Sequence, residues 1–152
     1  MNVKPDTKNA TPLEDLRSRV VRAKDLPWEK MRFPGCETKT LLFDPKSGLA
    51  TVLMKMAPGA TLPDHEHVLI EQTYVLSGSL VDKEGPDAGL EIGPGQFVWR
   101  PAGSRHVAWS PNGGEMIAIF QIPNKFFDQP PGRVTDASGK DWDSVWKQSL
   151  SK

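Results

Sequence analysis

Short runs of alternating apolar and polar residues fill the middle of this chain, and turn residues punctuate them. Residues 38–43 are rich in β-favouring side chains and end at Asp44-Pro45-Lys46-Ser47-Gly48. Residues 49–56 follow at similar length, so the two runs predict a hairpin with a loop of several residues. Further strand-length runs lie at 72–76, 79–81, 97–100, 106–109 and 116–122, separated by Ala57-Pro58-Gly59, Ser77-Gly78 and Gly93-Pro94-Gly95. The stretch 82–89 is charged and glycine-bearing and reads as an exposed loop. Short strands at regular spacing with turn signals predict an all-β sandwich or barrel.

Period two also predicts which side chains meet. If Lys55 faces solvent, Val52, Met54 and Met56 face inward. An inward Glu71 carries Thr73 and Val75 with it, and His106 carries Ala108, whereas Tyr74 is turned away. The ends of the chain differ from this middle. Residues 1–18 read as a tail, with a short helix over 12–17. The barrel is expected over 19–128. The extension 129–152 opens on a breaker cluster at 129–132. In it Asp141 caps a short helix whose Trp142 and Trp146, four apart, pack on the outside of the barrel.

Composition changes this picture by exclusion. The 152 residues suit one domain. The 19 Lys plus Arg balance the 19 Asp plus Glu, which argues against a nucleic-acid binder. No segment has the length and apolarity of a membrane span, and the polar N-terminus is not a secretory signal. Cys36 is the single cysteine, so an intrachain disulfide is excluded. It reads as a small buried apolar residue, and a cytoplasmic location is expected.

Candidate chemistry concentrates in two stretches, which hold all 3 histidines. The first runs from Gly59 to Gly78 and contains His65, His67 and Glu71. Their shared odd parity lets them project into one interior, and Pro63 suits a rim where the strand ladder breaks. The second runs from Gly95 through Pro101 and Gly103 to His106 and delivers a third imidazole from another strand. Imidazole and carboxylate suit Fe, Mn, Ni, Cu or Zn. Arg100 and Arg105 flank this second stretch and read chiefly as surface salt-bridging residues, with oxyanion binding the alternative.

These two stretches resemble the two signature motifs of the cupin (RmlC-like) superfamily over about Gly59 to Ser110, with Ser110 standing where the family usually has Asn. The resemblance implies a single cupin double-stranded β-helix, a jelly-roll barrel, with the short helix appended. It also implies one divalent metal ion per chain, Fe(II) foremost and Zn, Ni, Mn or Cu as alternatives. Its ligands would be His65, His67, Glu71 and His106. The run from Arg100 to His106 with Trp109-Ser110-Pro111, and the phrase from Glu71 to Gly78, resemble the ChrR-type cupin-like domains more closely. That group neighbours small dioxygenases that cleave β-diketones or hydroxyacetophenones. Its anti-sigma members add an N-terminal zinc-binding helical domain, for which no second His/Cys cluster exists here. The expectation is therefore an Fe(II)-dependent dioxygenase acting on a small diketone or aromatic hydroxyketone, working as a homodimer. Two alternatives stay open: a metal-dependent ligand-binding or sensing module, and an isomerase or lyase in which Glu71 is the catalytic base.

Overall fold

The structure is a computed structural model that describes residues 17–128 and 132–151. The helix expected over residues 12–17 lies outside that range but for its last residue. The described chain opens with a 3-10 turn at Ala23–Asp25. Its strands are β1 (Glu29–Lys30), β2 (Cys36–Phe43), β3 (Leu49–Met56), β4 (Ala60–Glu66), β5 (Glu71–Gly78) and β6 (Leu80–Glu84). They continue as β7 (Glu91–Ile92), β8 (Phe97–Arg100), β9 (Arg105–Ser110), β10 (Gly114–Gln121), β11 (Lys125–Asp128) and β12 (Arg133–Thr135), and α1 (Trp142–Leu150) closes the chain. Two six-stranded antiparallel sheets result. One has the order β1-β2-β3-β10-β5-β8, the other β12-β11-β4-β9-β6-β7. The all-β jelly roll with one short C-terminal helix is thus the observed fold.

The inner faces follow the predicted alternation. Along β3, Ala50, Val52, Met54 and Met56 are buried, and along β5 so are Glu71, Thr73 and Val75. Met56, Met116 and Val75 are among the most enclosed side chains. Burial of each contributes roughly 1.5–3 kcal/mol relative to exposure. Cys36 lies among them at 1% exposure, and burial pushes its thiol up to about 11, so it is an inert core residue.

The turns after β3, β5 and β9 gather at one end of the sandwich. There Gly78 adopts φ +70°, and a Cβ on it would come within 1.8 Å of the Gly113 carbonyl oxygen. The glycine that ends the first sequence motif is therefore a packing requirement of the closed end. Asp141 caps α1 by accepting from the Ser144 backbone N–H at 3.0 Å. Trp142 and Trp146 stack at 5.3 Å, and Trp142 Nε1 donates to the Pro123 carbonyl, which fastens the helix to the segment after β10.

Candidate metal centre

The histidines meet at the opposite end of the sandwich. Strands β4 and β9 are neighbours, and His65 pairs directly with His106 across them. A bulge between Leu62 and His65 shifts this register. Ala60 and Leu62 point inward on even positions, whereas His65 and His67 point inward on odd ones. The extra residue at Pro63-Asp64 is what turns the histidines from the outer to the inner face. Pro63 sits at this irregularity, as expected of a residue that cannot donate to the ladder.

The three rings pack within a few ångströms of one another, with His65–His106 centroids at 4.5 Å and His65–His67 at 4.9 Å. One ligand atom from each lies within 4.8 Å of those of the other two, so the trio can hold a metal ion. Two of the rings are oriented by acceptors at Nδ1. His65 Nδ1 lies 2.7 Å from the Pro63 carbonyl, and His106 Nδ1 lies 2.8 Å from Asp82 Oδ1. A carbonyl and a carboxylate only accept, so both rings donate from Nδ1 and turn Nε2 toward the other rings. His67 Nε2 and His106 Nε2 stand 3.1 Å apart. Nitrogens presented this way are the donor set a divalent cation requires, so the residues fit the metal that the motifs imply.

Electrostatics favours the same state. Burial, followed by repulsion from the neighbouring rings, lowers His65 to about 3; burial, then repulsion from His106 and Arg100, does the same for His67. Both are neutral at physiological pH and have lone pairs to give.

Glu71 stands beside the trio. Its Oε2 is 3.4 Å from His67 Nε2, and its carboxylate accepts from Arg100 at 2.9 Å and from the Thr73 hydroxyl at 2.5 Å. Arg100 is directly opposite Glu71 in the β5–β8 pairing, and its other amino group donates to Asp82 at 2.7 Å. Arg100 is thus not the surface residue expected from sequence; it is 4% exposed and ties the two sheets together. Asp82 is likewise no loop residue. It lies on β6 at 1% exposure and serves Arg100 and His106 through one oxygen. Burial alone would push its carboxyl up, but the His106 hydrogen bond and the Arg100 charge together bring it below the usual range. Arg105 does bridge at the surface, to Asp64 at 2.6 Å. Tyr74 faces out, as its parity predicted.

Above the histidines lies a cavity of about 140 Å³. Its walls are mostly apolar, with Leu62, Met116, Phe120, Phe126 and Ile122 prominent. Met54, Thr73 and Ala108, placed inward by parity, contribute to it, whereas Val52, Met56 and Val75 fill the barrel instead. A chamber of this size and lining suits a small, largely apolar ligand.

The family model of the ChrR cupin-like domain matches residues 16–125. No curated protein matches the sequence. Among solved structures, an RmlC-like cupin protein from Ralstonia eutropha is 20% identical with TM-score 0.71, over 93% of this chain and 90% of that one. An acetylacetone dioxygenase from Acinetobacter johnsonii is 14% identical with TM-score 0.65, over 89% and 91%. The anti-sigma ChrR complex with SigE from Rhodobacter sphaeroides matches at 20% identity and TM-score 0.53, over 66% of this chain and 51% of that one. At these identities the likeness is one of fold. Among the described residues no helix is long and apolar enough to cross a membrane.

Proposed function

Because the chain belongs to the ChrR cupin-like domain family, we propose that it is a mononuclear metal enzyme, an Fe(II)-dependent dioxygenase that cleaves a C–C bond in a small diketone or aromatic hydroxyketone. The observation that carries this reading is the convergence of three buried imidazoles on the floor of a small apolar cavity. His65, His67 and His106 would hold the ion. Glu71, with Oε2 beside His67 Nε2, would be the fourth group, a ligand at rest and the base once substrate is present. Iron(II) bound there would supply oxygen activation and polarisation of a dicarbonyl.

The remaining chemistry falls to the chain itself. Arg100 and Thr73 hold the Glu71 carboxylate with its charge directed toward the cavity floor, where it can take the acidic proton between two carbonyls. Phe120, Phe126 and Leu62 would enclose the apolar arms of the substrate and keep water out. The fold shared with an acetylacetone dioxygenase supports the substrate class.

A homodimer is part of the proposal. Tyr74, Leu76, Phe97 and Trp99 are all exposed on the outer face of β5 and the edge strand β8, an apolar surface suited to a second copy.

The test is elemental analysis of freshly purified protein kept free of chelators. Oxygen uptake is then measured after Fe(II) reconstitution, with a panel of diketones and hydroxyketones. About one iron per chain with substrate-dependent oxygen consumption is expected. Substrate conversion without oxygen uptake would transfer the reading to an isomerase or lyase with Glu71 as base. Tight metal binding with no turnover would mark a sensing module.

A further inference from the structure

Two of the three imidazoles have an acceptor that fixes their protonation, and the third has none in hydrogen-bonding geometry. His67 Nδ1 is buried and makes no hydrogen bond. Asn124 Oδ1 is buried and unpaired as well. Both residues line the cavity above the histidines, at 4% and 8% exposure.

The strand register explains why these two unmet atoms are neighbours. Strand β11 runs antiparallel to β4, with Phe126 opposite His65 and Lys125 opposite Glu66. One residue further along the same register, Asn124 falls opposite His67. Inward-facing residues alternate on both segments, so Phe126 backs His65, stacking at 5.1 Å, and Asn124 backs His67.

We propose that Asn124 is a positioning residue of the metal site, whose Oδ1 accepts the His67 Nδ1 proton and so commits His67 Nε2 to the ion. Asn124 then does for His67 what the Pro63 carbonyl does for His65 and Asp82 does for His106. Each of the three rings would have one acceptor behind it, drawn from a different place: its own strand, the neighbouring β6, and the segment entering β11. The proposal rests on the metal reading given above.

It is tested with Zn(II), a diamagnetic probe that needs no turnover. Wild type, Asn124→Ala and Asn124→Asp are titrated with Zn(II) in competition with a chromophoric chelator. Nitrogen-15 NMR of the zinc-loaded proteins reads the His67 ring. Loss of the acceptor should weaken Zn(II) binding by about 10–100-fold in Asn124→Ala, the range usual for partners behind a ligating histidine. Asn124→Asp keeps an acceptor and should restore binding to within about threefold of wild type, and the His67 Nδ1 proton should be protected from exchange in wild type and Asp but not in Ala. A merely structural role would show as equal losses in both variants. Zinc affinity in Asn124→Ala within twofold of wild type, or an aspartate variant as weak as alanine, overturns the proposal. A wild type that takes up no Zn(II) overturns the metal reading itself, and the proposal with it.

Discussion

Removal of Arg100 is the most informative single perturbation of this structure. Its guanidinium is 4% exposed and bridges Glu71 on one sheet to Asp82 on the other, at 2.9 and 2.7 Å. Those carboxylates are 5% and 1% exposed, and among the described residues no other arginine or lysine bridges either of them; their remaining neighbours are His67 and His106. Arg100→Met retains much of the side-chain volume but leaves two buried acceptors without their charged donor. Breaking one buried pair by deleting one partner typically costs about 3–5 kcal/mol, because the remaining charge is desolvated and uncompensated. Two acceptors are orphaned here, so the upper end of that range is expected, a large share of the roughly 5–15 kcal/mol that holds a domain together. Urea unfolding at pH 7.5, followed by tryptophan fluorescence on metal-free protein, measures the loss. The second arm of the experiment neutralises the whole network, with Arg100→Met, Glu71→Gln and Asp82→Asn combined. Most of the lost stability should return, since replacing an entire buried ion network is often close to neutral. A loss below about 1 kcal/mol in the single variant, or a triple variant no more stable than the single one, would refute the argument that buried charge pairing governs this end of the barrel.

Three further expectations follow from the same geometry. The metal-free protein should lose stability on mild acidification. His65 and His67 are lowered from 6.5 to about 3, so below pH 6.5 the unfolded chain binds protons that the folded chain refuses. At 1.36 kcal/mol per pKa unit, the two together should cost about 3 kcal/mol between pH 6.5 and 5. Urea midpoints measured across that window would contradict the reasoning if they stayed flat. His106→Ala should bring metal content below about a tenth of an ion per chain while circular dichroism still reports the β fold, because it removes one of the three imidazoles and leaves only His65, His67 and the Arg100-paired Glu71 to hold the ion; full occupancy would sink the ligand assignment. Trp99→Glu places a charge on an exposed apolar face and should turn a sedimenting dimer into monomer without changing metal content; a monomeric wild type at micromolar concentration would remove the basis for that face as an interface.

Local pattern revealed a good deal of this site and concealed the rest for identifiable reasons. Alternation was enough to point Val52, Met54, Met56, Thr73, Val75 and Ala108 inward, because strand side chains alternate whatever the strand pairs with. The spacing of His65, His67 and His106 likewise foretold their convergence. The bulge at Pro63-Asp64 was concealed, since Leu62 and His65 both face inward only if one residue is skipped, and that skip is set by the partner strand. Asp82 was misread because it sits in a run of charged and turn-forming residues. Its burial is permitted by Arg100 and His106, which lie 18 and 24 positions away and cannot be paired with it from local sequence. Arg100 was misread for the converse reason: an arginine between a strand and a Pro-Ala-Gly turn looks like a rim residue until two carboxylates are seen to enclose it. Asn124 offered no signal at all, because its meaning lies in a register with His67 that depends on how β11 docks.

These residues divide the site between the two sheets. Strands β4 and β9 of one sheet carry His65 and His106, with His67 just past the end of β4, and the sheet containing β5 and β8 contributes Glu71 and Arg100. The nitrogen donors are therefore fixed relative to one another by a single β ladder, in which His65 faces His106. The carboxylate is fixed from the opposite sheet, by Arg100 across its own ladder and by Thr73 two residues along its strand. Asp82 joins the two halves, since a single oxygen accepts from Arg100 of one sheet and from His106 of the other. Asp82 and His106 share a sheet, so a change in spacing between the sheets at this end strains the Arg100–Asp82 hydrogen bond. The buried ion network thus sets the distance between the carboxylate and the imidazoles, and that distance decides whether Glu71 can act at the ion the histidines are arranged to hold. On this argument the charges at the open end are retained for the geometry they impose, at a desolvation cost that the apolar core of the closed end, around Met56, Val75 and Met116, is placed to offset.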